Sequence, residues 1–150
     1  MNRSAILAKV RADIARCGWH CMSVLPSAGE EEAGFAYTIG LAQTLQHPEI
    51  AIFGLPPETA HTILAGLVES IRGGTRHPPD VPLAGIIANG FRVQFRMARP
   101  DRARSYFGVA AWHYREKDFE VVIMFWPDRQ GLFPWESSKL TSQAEALDLV

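Results

Sequence analysis

The chain has 150 residues, 47% of them hydrophobic and 21% charged, enough to bury a proper hydrophobic core and inconsistent with disorder over most of its length. Fifteen basic against 16 acidic side chains leave a net charge of −1, which argues against nucleic acid as a partner, because such binders carry a basic surplus. No run approaches the ~20 apolar residues of a membrane helix, and Arg3, Lys9, Arg11 and Asp13 interrupt any signal-peptide core, so the expectation is one cytoplasmic globular domain over residues 1–150.

Two cysteines, Cys17 and Cys21, lack a second pair that would complete a zinc site and read as buried thiols in a reducing compartment. In chain order, residues 4–16 read as an amphipathic helix, with Ser4 as N-cap, Ile6, Leu7, Val10 and Ile14 at helical spacing, and Gly18 ending it. Trp19–Leu25 reads as a strand, and Pro26–Ala33, with Glu30, Glu31 and Glu32, as a solvated acidic loop. Phe35–Ile39 and Glu49–Phe53 are β-prone runs. Between them Leu41–Gln46 makes a short helical turn that Pro48 stops. Pro56-Pro57 opens a second helix, whose stripe of Ile63, Leu64, Leu67, Val68 and Ile71 ends at Gly73-Gly74.

Thr75–Leu83, with three prolines, reads as an irregular loop, and nothing in the spacing of His77 and Asp80 selects them for a site. Asn89-Gly90 is a hairpin signal. Phe91–Ala98 alternates, with Phe91, Val93, Phe95 and Met97 inward and Arg92, Gln94, Arg96 and the following Arg99 on a solvated outer face. Asp101–Tyr114 reads as one short helix. The nearly continuous apolar run Phe119–Trp126 is the signature of a central strand covered on both faces. Thr141–Val150 is an amphipathic terminal segment. The class is α+β: a mainly antiparallel or mixed sheet of about five strands, with two or three helices packed on one side.

The motifs YTIGL (Tyr37–Leu41), HPE (His47–Glu49), a following Gly54-Leu55 and WPDRQGLFPW (Trp126–Trp135) together resemble the bacterial family called domain of unknown function 4262, from Gly18-Trp19 to Trp135. The resemblance implies a small bacterial domain of unassigned activity. One departure stands out: Val121–Phe125 is purely apolar where a polar residue such as glutamine is expected. The order of elements is also similar in layout to the suppressor-of-fused-like superfamily, which implies protein binding or toxin immunity by analogy alone.

The residues that can carry chemistry fall in two sets. Tyr37, Thr38, His47 and Glu49, with Asp128, combine a potential general base, a carboxylate to orient it and hydroxyl donors. The same side chains also suit structural work, satisfying backbone groups in tight turns. A metal version built on His47, Glu49, Asp128 and His113 lacks helical H-E-x-x-H spacing, so no metal is assigned. Nucleophile elbows, phosphate loops and dinucleotide fingerprints are absent, so no cofactor is assigned either. The second set is the aromatic group Trp112, Tyr114, Trp126, Phe133 and Trp135, beside Arg129, of the kind that lines grooves and interfaces. The leading reading is a binding module, an immunity or accessory protein with a protein or small-molecule partner, whose surface joins the YTIGL–HPE loop to the PDRQGLFPW turn. The alternatives are a hydrolase or lyase with His47 as base, and a homodimer that buries the aromatic turn. Both motif-based readings assume that the two loops meet in space.

Overall fold

Five strands make one mixed sheet in a computed structural model that describes residues 2–26, 34–115, 117–137 and 141–150. The acidic loop at Glu30–Glu32 lies outside the described residues. The strands are β1 (His20–Val24), β2 (Phe35–Ile39), β3 (Glu49–Phe53), β4 (Gln94–Met97) and β5 (Val121–Phe125), in the spatial order β1-β2-β3-β5-β4. All neighbours are antiparallel except β3 and β5, which run parallel with Glu49 opposite Val121 and Ile52 opposite Met124.

The central strands β3 and β5 are buried at every position. Their alternation explains why both sides must be covered. Tyr37, Ala51, Phe53, Ile123 and Phe125 enter one cluster, and Ala36, Ile50, Ile52, Val122 and Met124 enter the other. Helix α1 (Arg3–Cys17) covers the first cluster together with α4 (Pro100–Tyr106), α5 (Gly108–Tyr114) and α6 (Ala144–Leu147), while α3 (Pro57–Arg72) covers the second. The α+β class and the mixed five-stranded sheet are as expected, but the helices occupy both faces rather than one. A strand with two apolar faces leaves oily surface in water on whichever side is bare.

Local chemistry sets the element ends. Asn2, rather than Ser4, caps α1 by accepting from the Ala5 N–H at 2.8 Å. Gly18, at φ 91°, closes the helix through its N–H to the Ile14 carbonyl. The expected single helix over 101–114 is two, broken at the fully buried Phe107, whose ring meets Tyr37 edge-on at 5.0 Å. Asn89 and Gly90 both take positive φ, as a tight hairpin turn requires, but pairing there is limited to one bridge, Leu83 to Val93. The outer face of β4 is not solvated: Gln94 is buried, and the Arg96 guanidinium lies 3.6 Å from the centroid of the Trp135 ring.

Two joints hold α1 against the sheet. Asp13, on its buried side, accepts from Lys9 at 2.9 Å, from Arg16 at 3.2 Å and from the His20 Nδ1–H at 2.6 Å. The hydrogen bonds from Lys9 and then His20 hold its carboxyl well below the usual carboxylate range, against the opposing effect of burial. The second joint is Gly40, which ends β2 at φ 120°; a Cβ there would lie 2.9 Å from both the Gly18 carbonyl oxygen and the Ile14 side chain.

Gly40→Ala therefore combines left-handed strain with a backbone collision and is expected to cost about 2 kcal/mol or more in urea unfolding. Asp13→Asn is expected to cost about 1–2 kcal/mol near pH 6, because Lys9 and Arg16 are largely solvent-screened and the His20 bond supplies most of the effect. A carboxyl whose pKa is depressed by folding stabilises above its unfolded pKa, near 4, and loses that contribution as pH falls below it. The unfolding midpoints of wild type and Asp13→Asn should accordingly converge as pH is lowered from about 4 toward 2.

Candidate functional site

The YTIGL and HPE motifs converge on a single atom group, the carboxylate of Glu49, which has no solvent exposure. After β2, Gly40 turns the chain into α2 (Leu41–Thr44), whose first N–H groups point back at the start of β3. Glu49 Oε2 accepts from the Gly40 and Ala42 N–H groups and Oε1 from that of Leu41, each at 3.2 Å. Thr38 Oγ1 accepts from the Ile50 N–H at 3.0 Å, so its own proton goes to Glu49 Oε1, at 2.7 Å. The Tyr114 hydroxyl, brought in by α5, likewise accepts from the Gly40 N–H at 3.0 Å and donates to Glu49 Oε2. Burial pushes the Glu49 carboxyl up, with the donors from Tyr114 and Thr38 pulling the other way. Burial and the adjacent carboxylate raise the Tyr114 phenol, keeping it a proton donor. Tyr37 is a core residue: its ring packs on Phe35 and Phe107, and burial pushes its phenol up to about 12.

His47 belongs to the same turn but not to this network. Its Nδ1–H donates to the Pro48 carbonyl at 2.7 Å, which fixes that nitrogen as the protonated one in the neutral ring. The imidazole lines a cleft of ≈ 360 Å³ between the His47-Pro48 turn and the 75–80 loop. The floor is sheet: Ile50 from β3, Val122 from β5 and Phe95 from β4, all buried, with the half-buried Met97 of β4 beside them. Across the cleft stand the exposed Arg76 and the half-buried His77. The backbone N–H of Asp80 pins this loop to the Phe95 carbonyl at 2.7 Å. His77 Nδ1 is buried and has no hydrogen-bond partner. Burial lowers the His77 pKa, and the positive potential of His47 lowers it further. Gln46 and Asp80, one on each flanking loop, are non-glycine residues held at positive φ, 49° and 65°.

The other motif lies at the opposite end of the sheet. Because β3 and β5 are parallel and paired from their first residues, His47 precedes one end of the ladder and Asp128 follows the other, about 17 Å or more away along five residues of strand. There Asp128 Oδ1 accepts from the Gln130 and Leu132 N–H groups, at 2.9 and 3.0 Å, and closes its own turn. Phe133 is buried and stacked on Trp135, which in turn meets Phe125 and Arg96. Trp126 donates its indole N–H to the Phe53 carbonyl at 2.8 Å. Arg129 is exposed at the turn's tip, and Trp112 sits elsewhere, on α5, under the Arg3 guanidinium. The fold thus brings Thr38 and Glu49 together, keeps His47 beside them on a separate cleft, and leaves Asp128, Arg129, Phe133 and Trp135 a strand's length away.

Two participants were not selected by sequence. His77 has no motif around it, and only the fold sets it across a cleft from His47. Gln143, fully buried, accepts from the Trp126 N–H and donates to the Trp126 carbonyl, standing in for a strand neighbour; nothing in its local sequence signals this. Among the described residues no group of three or more His, Cys, Asp or Glu side chains is arranged to hold a metal ion, and no helix is long and apolar enough to cross a membrane.

Replacing Glu49 by Gln turns one acceptor into an NH2 group facing other donors. The expected loss is about 2–4 kcal/mol in urea unfolding. Tyr114→Phe is expected to lose about 1–2 kcal/mol, and the double variant less than the sum, because both changes break the same bond.

Neither a curated protein nor a solved structure matches this chain. One family model does, over residues 13–139, a span that takes in the Glu49 network, the cleft and the Asp128 turn alike. The chain belongs to the family described as Domain of unknown function (DUF4262).

Proposed function

We propose that this chain is a binding module that takes a small ligand into the cleft between His47 and His77. The observation that carries the reading is the buried Nδ1 of His77, which has no hydrogen-bond partner; His113 Nδ1 and Asp128 Oδ2 are also buried without one, but it is His77 that lines the cleft floored by the sheet. A buried polar atom left unpaired costs free energy comparable to a lost hydrogen bond, and a ligand that pairs with it recovers that cost. The apolar floor supports the same reading, since small-molecule sites combine apolar walls with a few polar groups. So does the positive φ of Gln46 and Asp80, because strained residues concentrate at ligand sites.

This narrows the binding surface to the HPE side alone; one interface spanning both motif turns would have to run the length of the strands. The hydrolase or lyase alternative is less well supported. A base at His47 needs a carboxylate to orient it, and Glu49 is engaged by five donors while Asp128 closes a distant turn. A homodimer through the aromatic turn has a similar weakness, since Trp135 is already packed against Phe125, Phe133 and Arg96. The two unpaired cysteines favour a reducing, cytoplasmic setting for the module.

A fragment screen by amide chemical-shift mapping tests the proposal. Hits should perturb residues 46–50, 76–77 and 95–97 together. Met97→Trp, which fills the floor, should abolish those hits while the protein keeps its cooperative unfolding. Hits confined to residues 128–135 would refute it.

A further inference from the structure

We infer that the ligand of the His47–His77 cleft is a small monocarboxylate with an apolar body, its charged end held by Arg76 and His77 and its body on the sheet floor. This rests on the reading of the cleft as a binding site and adds the chemistry of what it binds.

The argument begins with charge. The cleft wall carries a guanidinium and two imidazoles, and no acidic side chain lines it. Among the described residues no carboxylate pairs with Arg76. The site is one-signed, with a cation that is unspent within the fold. An arginine fork matches the two oxygens of a carboxylate, and an imidazole N–H adds a charge-assisted bond to the same group. Because His47 already gives its Nδ1–H to the Pro48 carbonyl, the unpartnered nitrogen that calls for a ligand atom is that of His77.

The floor decides what the charge is attached to. Ile50, Phe95, Met97 and Val122 offer only hydrocarbon and a thioether, so the part of the ligand that covers them gains by leaving water. A dicarboxylate would set a second, strongly hydrated group on that surface without a donor to receive it. At ≈ 360 Å³ the cleft is at the small end of ligand sites and suits an aryl or branched-alkyl acid of about ten non-hydrogen atoms. A peptide segment would need backbone partners, and the nearest edge group, the Phe95 carbonyl, is already taken by Asp80.

The test is a titration of the full chain with benzoate and, separately, with benzamide, followed by amide chemical shifts. Benzoate should perturb residues 46–50, 76–77 and 95–97, with an affinity at least tenfold above that of its neutral isostere. Arg76→Gln, at an exposed position, and His77→Phe, which keeps a ring against Phe95, should each reduce the ratio of benzoate to benzamide affinity several-fold. Equal affinities for the two probes, or a preference untouched by both variants, would overturn the carboxylate inference and leave the cleft as a neutral-ligand site. Absence of any shift from either probe at about 10 mM, where even a millimolar ligand saturates, would overturn the inference and the binding reading together.

Discussion

A single buried carboxylate organises this end of the molecule. Glu49 gathers three backbone N–H groups and two hydroxyls from four different elements, β2, the Gly40 turn, α2 and α5. Each donor would otherwise be an unsatisfied polar group in the interior, and the five are pointed by four separate parts of the chain. The positive φ of Gly40 is what aims the first of them, which is why the turn between β2 and α2 is as constrained as the strands themselves. The same residue therefore fixes where β3 begins, and with it the position of the His47-Pro48 turn two residues before. The cleft wall inherits its rigidity from a network to which it contributes no atom.

The two sequence motifs divide the labour between the ends of the sheet. At one end the YTIGL–HPE segment satisfies its polar groups inward and leaves an imidazole on a cleft. At the other, Asp128 and Gln143 close the chain around Trp126, and Trp135 lies between Arg96 and the sheet face. Aromatic and charged residues near a turn are common to both ends, and each end retains a buried polar atom without a partner, Asp128 Oδ2 at one and His77 Nδ1 at the other; it is His77 that lines the cleft floored by the sheet.

Much of the architecture was legible from periodicity and punctuation. The continuous apolar run at Phe119–Trp126 marked the central strand β5, and Pro56-Pro57 and Gly73-Gly74 bracketed α3 almost to the residue. The same apolar run already implied cover on both faces, which the one-sided placement of helices had set aside. The site was less legible because its logic is non-local. Glu49 reads as a surface or catalytic acid until Tyr114 arrives from 65 positions away, and three of its donors are main-chain groups that carry no side-chain signature. His77 lies in a proline-rich loop with no period to read, so only the course of the chain after α3 places it opposite His47. The expectation that the two motif turns would adjoin failed for a topological reason: a parallel pairing of β3 with β5 carries the segment before one strand and the segment after the other to opposite poles.

That parallel pairing also bears on how the chain reaches its native state. β1, β2 and β3 are joined by successive antiparallel contacts between neighbours in sequence, a meander that closes early and cheaply in entropy. The ladder from β3 to β5 instead joins residues about seventy positions apart and waits for α3, β4, α4 and α5 to be threaded between them. Until it closes, the edge of β3, apolar from Ile50 to Phe53, has unpaired main-chain groups and no neighbour. A growing chain emerging from the ribosome would hold that sticky margin open for nearly half its length, which makes β3 the segment most exposed to mispairing and the natural client of a holding chaperone.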